Sequence, residues 1–438
     1  DMELLPADCL REIFKVLQDD TSSLYSKKSR SILKILVTCL PETSKNILLN
    51  NNIDVSSFTS RRPLLFHYVR YIQSLSFKNI LHLGVTLYKS GNEEMPNQSD
   101  SRDDKLKHQV SSRDTYCIQL ILQEFFKMFM SQCVNFKFLD LRNLKVTFPY
   151  FLGADKCLMG LRELQCDSKI SSEIFCRLAQ ICRNLEHISV ECHEEFDNLG
   201  LAVLIECQRN LKKVELVGVI GSRFYSGFNL AQSVAKQANS VHHLLLKGET
   251  PCIPLSIISP CINIRILDLH FEHDRVINIF DDLESISFPN LRVLRAGKGF
   301  PRLHILEGFI EKIDGCLEEL VIYGERPPIT EPRLEFNRIL TSNCRKLRVL
   351  TLWCMTLNLN YVKEILISCR DLEILSIHSC IEYEARRVFE VLKDSAPTKL
   401  SRLRLEGRWI WENSATALVE FLEFWKDTRL YPSVFYLQ

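Results

Sequence analysis

The stretch "CRKLRVLTLWC", Cys344 to Cys354, decides the fold of this 438-residue chain. It contains a pattern, L-x-x-L-x-L, that begins at Leu347. The last three positions alternate apolar, variable and apolar residues, which predicts a short strand with one buried face. With conservative replacements the pattern occurs at eleven places, whose starts lie 23 to 30 residues apart. In chain order they are FKFLDL from Phe136, LRELQC from Leu161, LEHISV from Leu185, LKKVEL from Leu211, VHHLLL from Val241, IRILDL from Ile264, LRVLRA from Leu291, LEELVI from Leu317, LRVLTL from Leu347, LEILSI from Leu372 and LSRLRL from Leu400.

The segments between these patterns have helical spacing. In "SSEIFCRLAQIC", for example, Ile174, Leu178 and Ile181 recur at intervals of three and four residues. A strand and a helix of this size cannot bury their apolar faces alone, so neighbouring units must stack. The period is typical of leucine-rich repeats. We therefore expect an α/β leucine-rich-repeat solenoid of about eleven repeats over residues 116–438, a curved horseshoe with parallel strands on its concave face and helices outside.

Composition argues against several classes of protein. The 55 basic and 54 acidic residues are spread along the chain and give a net charge of +1, which favours no nucleic-acid partner. No apolar run has the length of a membrane helix, and the N-terminus lacks the features of a secretory signal. The 17 cysteines are odd in number and include no C-x-x-C pair. We expect a soluble chain with reduced thiols in the cytoplasm, the nucleus or both, without cofactor or membrane partner.

The cysteines have a regular place in the repeat. One set lies three or four residues before the pattern and a second set lies at or just after the strand. The first set is Cys133, Cys157, Cys182, Cys207, Cys261, Cys344 and Cys369, and the second is Cys166, Cys192, Cys354 and Cys380. These positions predict small buried thiols in the core. The arrangement resembles the cysteine-containing leucine-rich repeats found in many F-box proteins.

The region before the repeats contains other kinds of segment. Ser29 to Leu40 has a helical apolar face, Pro41 precedes a second short helix, and the apolar stretch 62–77 predicts a further helix or helix-strand unit. We expect residues 27–88 to form a helical N-terminal cap, as an open repeat array requires. Residues 89–115 are rich in Ser, Asp, Asn and Lys, which predicts a flexible polar loop.

The N-terminal stretch "LPADCLREIFKVL", from Leu5, is an amphipathic pattern that resembles the start of the F-box. Its continuation to Ser26 is similar to fungal families of F-box proteins with leucine-rich repeats. The resemblance implies that the first helix binds a Skp-family adaptor and, through it, a cullin scaffold. The adaptor-binding residues it implies are Leu5, Pro6, Leu10, Ile13, Phe14 and Leu17.

The resemblance to the F-box stops at Ser26. The segment that supplies the later helices in the family is absent, and "KKSRSILKILVTCLPETSKNIL" follows directly. Residues 1–26 therefore match only a partial F-box that ends after its first helix. Two explanations stay open: the segment is truncated, in nature or in the gene model, or Ser29 to Leu40 serves as a substitute partner helix.

The residues between the pattern positions are expected to face the concave side, because neighbouring side chains of a strand point to opposite faces. The first three repeats then present a polar, acidic surface, and the last repeats present an aromatic, basic one. We take the substrate-binding candidates from the latter, since Trp, Tyr and Arg dominate binding hot spots. They are Tyr323, Trp353, His378, Arg402 and Arg404. Trp353 could instead cover the edge of the solenoid core.

No catalytic or metal-binding set of residues stands out. "HFEHD", which contains His270, Glu272, His273 and Asp274, lacks the fixed ligand spacing of a zinc site. The neighbouring His242 and His243 are expected to point to opposite faces of a strand. The sequence therefore indicates a protein without enzymatic activity. By resemblance it would be the substrate-recognition subunit of a Skp, cullin and F-box ubiquitin ligase, and the alternative is a stand-alone repeat scaffold for protein interactions.

Overall fold

The computed structural model describes residues 27–59, 67–91, 112–193, 197–219, 227–249, 252–271, 281–297, 303–322, 334–354, 359–410, 414–428 and 434–437. The chain divides into two compact units. Unit 1 comprises residues 1–191 and 198–211, and unit 2 comprises residues 192–197 and 212–438. Both are built from parallel strands in chain order, each connected to the next by a helix or an irregular segment.

Unit 1 carries four strands, seven α-helices and three short 3-10 helices in its described part. Its strands pair in parallel, in chain order, from β1 to β4. The strands are β1 Ser74–Ser76, β2 Phe138–Asp140, β3 Glu163–Asp167 and β4 His187–Cys192. The helices are α1 Lys27–Cys39, α2 Glu42–Asn50, α3 Phe77–Gly91, α4 Ser112–Gln132, α5 Ala154–Leu158, α6 Ser172–Ile181 and α7 Leu199–Glu206.

Unit 2 carries nine strands, six α-helices and one short 3-10 helix in the part of the chain that the structure describes. Each strand pairs in parallel with the next, from β5 to β13. The strands are β5 Lys213–Gly218, β6 His243–Gly248, β7 Ile266–Phe271, β8 Val293–Ala296, β9 Glu319–Ile322, β10 Val349–Cys354, β11 Ile374–Glu384, β12 Arg402–Ile410 and β13 Val434–Leu437. The helices are α8 Phe228–Lys236, α9 Leu303–Glu311, α10 Leu334–Asn343, α11 Leu359–Ser368, α12 Ala385–Ser395 and α13 Ser414–Thr428.

The eleven predicted strands are all present, which confirms the α/β leucine-rich-repeat fold. Each of β2 to β12 begins two residues after the start of its pattern. The apolar pattern positions form the core: Leu347 and Leu350 are fully buried, and Leu352 is 6% exposed. The alternation works because the buried side chains of one repeat pack on those of the next, which removes from water the faces that a single repeat leaves exposed.

The corner cysteines contribute hydrogen bonds as well as apolar packing. The Sγ atom of Cys182 donates to the carbonyl oxygen of Leu158, 3.4 Å away in the preceding repeat, and Cys369 donates in the same way to Cys344 over 3.5 Å. Burial raises the pKa of Cys182 to about 12 and that of Cys369 to about 11. The thiols therefore stay protonated, and each donates to a carbonyl oxygen that also accepts a backbone N–H, from Leu161 and Leu347 respectively.

Three boundaries differ from the sequence-based prediction. The sheet begins at β1, before the expected start of the repeats at residue 116, and Leu75 in this strand is fully buried. Residues 72–77, "IQSLSF", fit the repeat pattern, but they begin 64 residues before the next pattern, at Phe136, instead of the 23 to 30 residues found elsewhere. The expected loop at 89–115 is also too long, because α3 extends to Gly91 and α4 begins at Ser112. The exposed end turns of α3 and α4 need no apolar residues, so their polar composition resembled that of a loop.

The strand β13 was not predicted at all. It pairs with β12 so that Phe435 lies opposite Leu403 and Leu437 lies opposite Leu405, which are core positions of the repeat from Leu400. The corresponding sequence, "PSVFYL", has proline where the pattern expects leucine. Because of this proline, the last strand was not recognised as part of a repeat.

Candidate protein-binding surface

The strands of unit 2 place every second side chain on the face of the sheet opposite the repeat core. In β6, for example, Leu244 and Leu246 are fully buried, whereas Lys247, the next residue along the strand, is exposed. This alternation follows from the pleat of a strand. We call these residues the unit 2 sheet face: Lys213, Glu215, Val217, His243, Leu245, Lys247, Ile266, Asp268, His270, Val293, Arg295, Glu319, Val321, Val349, Thr351, Ile374, Ser376, His378, Arg402, Arg404 and Glu406.

A network of hydrogen bonds and ion pairs crosses four neighbouring strands of this face. The Nε2 atom of His243 lies 2.9 Å from Oδ2 of Asp268, and Arg295 donates to Oδ1 of the same carboxylate over 3.2 Å. Arg295 also forms two hydrogen bonds with Glu319, of 2.7 and 2.9 Å. Such bidentate contacts hold a guanidinium in one orientation. The network therefore fixes the shape and charge pattern at the centre of the face.

The charges in this network reinforce one another. Burial by itself would raise the pKa of Asp268, but the hydrogen bond with His243 and the charge of Arg295 outweigh it and leave the pKa below its usual value. The hydrogen bonds with Glu319 raise the pKa of Arg295. For His270, burial is the main cause of a lowered pKa. The central carboxylate is thus ionised over the whole neutral range.

This network was not predicted from the sequence. Sheet-face residues were assigned there to the first three and the last four repeats but not to the repeats from Leu211 to Leu291. The same alternate positions in "VHHLLL", "IRILDL" and "LRVLRA" would have placed His243, Asp268 and Arg295 on one face. The contacts among these three side chains could not be predicted from alternation, because they depend on how far each side chain reaches toward the next strand.

The other end of the unit 2 sheet face holds three of the predicted substrate-binding residues. The Nε2 atom of His378 lies 2.8 Å from Oε2 of Glu406, and Nε of Arg404 lies 3.1 Å from Oε1 of the same carboxylate. Arg402 is exposed at the neighbouring position of β12. Burial lowers the pKa of His378 more than Glu406 raises it, and Arg404 adds to the lowering. Glu406 therefore orients both basic side chains, while Arg402 stays accessible.

The remaining predicted site residues are described only in part. Trp353 belongs to β10, where its backbone lies opposite His378, and its position agrees with the sheet-face register. Tyr323 lies outside the described residues, as do Leu5, Pro6, Leu10, Ile13, Phe14 and Leu17. Trp409 was not predicted: it is 8% exposed, and its Nε1 donates to the carbonyl oxygen of Glu406 over 2.8 Å. This hydrogen bond holds the backbone at Glu406, whose carboxylate contacts both His378 and Arg404.

In unit 1 two of the expected acidic residues share one arginine. Arg142 donates to both carboxylate oxygens of Asp140, over 2.9 Å each, and to Oε1 of Glu191 over 3.2 Å. Ser76 donates to Asp140 as well, and Asp167 accepts the backbone N–H of Asn143. Buried carboxylates require such partners. Asp140 and Asp167 thus hold the strand ends together.

Among the described residues, no group of three or more His, Cys, Asp and Glu side chains is arranged to hold a metal ion. Of the predicted "HFEHD" candidates, Glu272, His273 and Asp274 lie outside the described ranges, and His270 is the one that can be placed. No described helix is both long and apolar enough to cross a membrane.

Comparisons with known proteins gave matches among solved structures only. A scan of protein-family models and a search of curated proteins each gave no match. The chain is similar to the crystal structure of the yeast Rad7 and Elc1 complex, with 16% identity over 63% of this chain and 75% of that chain and a TM-score of 0.43. It is also similar to an internalin, inlF, from Listeria monocytogenes, with 12% identity over 65% and 77% of the two chains and a TM-score of 0.38. The leucine-rich-repeat protein LegL7 from Legionella pneumophila has 11% identity over 70% and 96% of the two chains and a TM-score of 0.34.

Proposed function

We propose that this chain is a non-catalytic binding subunit whose unit 2 sheet face recognises a protein. The observation that carries the proposal is the run of nine parallel strands, β5 to β13, whose sheet face carries exposed charged side chains such as Lys247 and Arg402. At the usual spacings of a sheet, nine strands that average about six residues cover about 38 Å by about 20 Å, or roughly 760 Å². This is close to the roughly 800 Å² per partner that a specific protein interface buries.

The chemistry of the face also suits protein recognition. Ion pairs such as Asp268 with Arg295 hold side chains in fixed orientations before a partner arrives, which lowers the entropic cost of binding. Between the two polar ends lie apolar or small side chains on β9 to β11. Val321 and Thr351 there are 7% and 4% exposed, so the chain itself already buries them. The charged side chains on either side are the part of this face that a partner can contact.

We further propose that the bound protein is a substrate for ubiquitination. In this proposal the N-terminal helix binds a Skp-family adaptor through Leu10, Ile13 and Phe14, and the adaptor connects the chain to a cullin. The support for this step is the resemblance of residues 1–26 to the start of an F-box. The chain itself performs no bond chemistry: it raises the effective concentration of the substrate near the ligase.

Copurification with a Skp-family adaptor tests the ligase step. We expect the unmodified chain to retain the adaptor and a Leu10→Ala, Ile13→Ala, Phe14→Ala variant to lose it. A Glu12→Ala, Lys15→Ala variant is the matched control, because both residues lie on the opposite side of the predicted helical pattern. Failure of the unmodified chain to bind adaptor would refute the receptor proposal. Equal binding by all three proteins would show that the docking helix is misassigned.

The alternative is a repeat scaffold that recognises proteins without a ligase. The abrupt end of the F-box resemblance at Ser26 favours this alternative, because a lone helix of about 12 residues is marginally stable in water. The two functions share the sheet face and differ in the adaptor. A chain that binds no adaptor but still loses a protein partner upon Trp353→Ala substitution would establish the scaffold role.

A further inference from the structure

Unit 1 contains a pocket of about 570 Å³ at a place where three elements meet. The elements are the 3-10 helix Tyr68–Tyr71, the end of α4 and the start of α5. Arg70 belongs to the first of them, Met130 to the second and Lys156 to the third, and all three residues line the pocket. Sites for small molecules usually have volumes of about 300–1,000 Å³. The pocket therefore has the size of a small-molecule site.

Two thiols and one glycine hold these three elements together. The Sγ atom of Cys133 donates to the carbonyl oxygen of Val69 over 3.1 Å, which joins the end of α4 to the 3-10 helix. The Sγ atom of Cys157 donates to the carbonyl oxygen of Phe129 over 3.8 Å, which joins α5 to α4. Gly153 packs so closely on α4 that a Cβ atom there would lie 2.3 Å from a carbonyl oxygen of that helix. The protein itself therefore fixes the backbone around the pocket.

The charged side chains that line the pocket are all basic types. They belong to His67, Arg70 and Lys156, each of which is exposed, and the lining contains no described Asp or Glu. Neither Arg70 nor Lys156 forms an ion pair or a side-chain hydrogen bond with any residue that the structure describes. Asp155, the neighbour of Lys156 in the chain, pairs instead with Arg177 at 2.8 Å. The pocket thus holds two cations that the described part of the chain does not neutralise.

A structural role at a helix end is the alternative for these cations. The helix α4 ends at Gln132, and the last carbonyl groups of a helix carry partial negative charge that attracts cations. In that role Arg70 and Lys156 would donate hydrogen bonds to these carbonyls, and among the described residues neither side chain does so. The carbonyl oxygen of Met128 accepts instead from the hydroxyl of Ser131 over 3.0 Å. The two basic side chains therefore keep their N–H donors for a ligand.

The pocket also has an apolar part. Met130 and Val134 line it, and Val134 is 57% exposed. An apolar group bound against Val134 would remove apolar surface from water, which is favourable. None of the described lining residues is Phe, Tyr or Trp, so the lining offers no aromatic surface on which nucleic-acid bases could stack. The lining suits a small molecule that has an anionic group and an apolar body.

We propose that this pocket binds a small organic phosphomonoester. A phosphate monoester carries a charge of nearly −2 at neutral pH, which matches the two unpaired cations better than a single carboxylate does. Its oxygens accept charge-assisted hydrogen bonds from Arg70 and Lys156, and the imidazole of His67 offers a further donor. The organic part lies against Val134. This site belongs to unit 1, so it goes beyond the proposed protein-binding role of the unit 2 sheet face and does not depend on it.

Ligand-observed proton NMR with the purified full chain tests the proposal. Phenyl phosphate is the probe, phenol lacks the phosphate, and inorganic phosphate, added as a competitor, lacks the organic body. We expect phenyl phosphate to bind with a dissociation constant of roughly 1 mM or lower, the affinity typical of a ligand with so few atoms. Its affinity should fall with added salt. Phenol should not bind, and inorganic phosphate should bind at least about threefold more weakly than phenyl phosphate.

Variants of exposed residues assign the binding to this pocket. An Arg70→Gln, Lys156→Gln variant should bind phenyl phosphate about fivefold more weakly, because two charge contacts are removed. The matched control is Lys145→Gln, Arg209→Gln, which removes one exposed lysine and one exposed arginine of unit 1 that do not line the pocket. It should leave the affinity unchanged. A Val134→Ala variant should weaken phenyl phosphate about threefold and leave inorganic phosphate unaffected, because apolar contact is lost. Circular dichroism checks that each variant is folded.

Several results would overturn the proposal. They are absence of phenyl phosphate binding, binding of phenol with the same affinity, and equal loss of affinity in the test and control variants. Inorganic phosphate that binds as tightly as phenyl phosphate would reduce the pocket to a site for an adventitious ion only, and the organic phosphomonoester would be rejected. A Val134→Ala variant with unchanged affinity for phenyl phosphate would contradict the position of the organic part.

Discussion

His243 and Asp268 lie on neighbouring strands and approach each other to 2.9 Å between Nε2 and Oδ2. They are 25 residues apart in the chain, yet one repeat brings them together. Asp268 is 4% exposed, so its charge depends on this contact and on Arg295. The stability of the centre of the unit 2 sheet face is therefore tied to one carboxylate.

The first prediction concerns removal of that carboxylate charge. Asp268→Asn keeps the shape of the side chain but removes the carboxylate charge that His243 and Arg295 contact, while Arg295 keeps its pair with Glu319. We expect the free energy of unfolding to fall by about 1–3 kcal/mol, the usual effect of breaking a buried hydrogen-bond network. Urea denaturation followed by circular dichroism measures the change.

The matched control for Asp268→Asn is Asp371→Asn. Asp371 pairs with Lys399 at 2.6 Å, but both side chains are at least half exposed. We expect no measurable change in the denaturation midpoint, because exposed ion pairs contribute little. If the two variants unfold at the same urea concentration, the network adds nothing to the stability of unit 2.

The second prediction concerns the dependence of stability on pH. The folded chain lowers the pKa of His242, His270 and His378, in each case chiefly through burial. The unfolded chain therefore binds more protons than the folded one as the pH falls below the usual histidine value of about 6.5. Stability contributed by neutral histidine is present above that pH and is lost as the pH falls toward the folded pKa.

Denaturation at a series of pH values between neutral and mildly acidic measures this slope. The variant His378→Gln should show a shallower decline, because one group with a lowered pKa is gone. The comparison is made above the range in which carboxylates titrate, since Asp268 adds its own loss of stability at lower pH, where its pKa is also lowered. An unchanged slope in the variant would contradict the assignment to His378.

The third prediction concerns the reactivity of the thiols. Burial raises the pKa of Cys182 and Cys344 to about 12 and that of Cys261 and Cys369 to about 11. Because the thiolate is the reactive form, we expect these residues to resist iodoacetamide in the folded chain. Mass spectrometry of the alkylated peptides should show modification at the exposed Cys176 first.

Alkylation in denaturant is the control for the thiol experiment. All four corner cysteines should then be modified, since unfolding exposes them and restores their ordinary pKa. Rapid modification of Cys344 in the native chain would show that the corner between helix and strand opens readily.

The fourth prediction concerns a glycine at a strand irregularity. Gly407 has a φ of +104°, and a Cβ atom there would lie 2.2 Å from the carbonyl oxygen of Ser379. The pairing of β11 and β12 is irregular between Ser379 and Tyr383. Gly407→Ala should destabilise the chain by more than about 1 kcal/mol, because both the backbone conformation and the close contact oppose a side chain.

Gly308→Ala is the matched control, and its sign should be opposite. Gly308 lies inside α9, and a Cβ atom there meets nothing within 4 Å. Alanine at a helix interior is favoured over glycine by roughly 0.5–1 kcal/mol. Thermal denaturation should therefore show a higher midpoint for Gly308→Ala and a lower one for Gly407→Ala. Similar destabilisation by both substitutions would refute the explanation for Gly407.

Features that depend on neighbouring residues in the chain were predicted from the sequence more completely than features that depend on distant ones. The strand that follows Leu347 was predicted from local alternation, because burial of every second residue requires apolar residues at every second position. The first strand, at Ser74, was missed because its pattern stands apart from the regular spacing. The last, at Val434, was missed because proline interrupts its pattern. Regular spacing helped to recognise a strand, although strand formation does not require it.

The candidate surface was predicted less completely. The positions of His378, Arg402 and Arg404 on one face followed from alternation, and the register of β11 and β12 agrees. The sequence did not show that Glu406 holds His378 and Arg404 in place, or that Arg142 neutralises Asp140. Which charges pair depends on side-chain reach and burial, and neither leaves a periodic signal.

The sequence by itself determined the repeating unit of a strand and a helix, because the two apolar periods dictate which faces must be buried. Only the tertiary structure decided which distant residues became neighbours. His243, Asp268 and Arg295 are unremarkable one by one in the sequence, and parallel pairing with a fixed register brings them within hydrogen-bonding distance. The physical reason is that pairing between strands sets separations of a few ångströms between residues that the chain separates by an entire repeat.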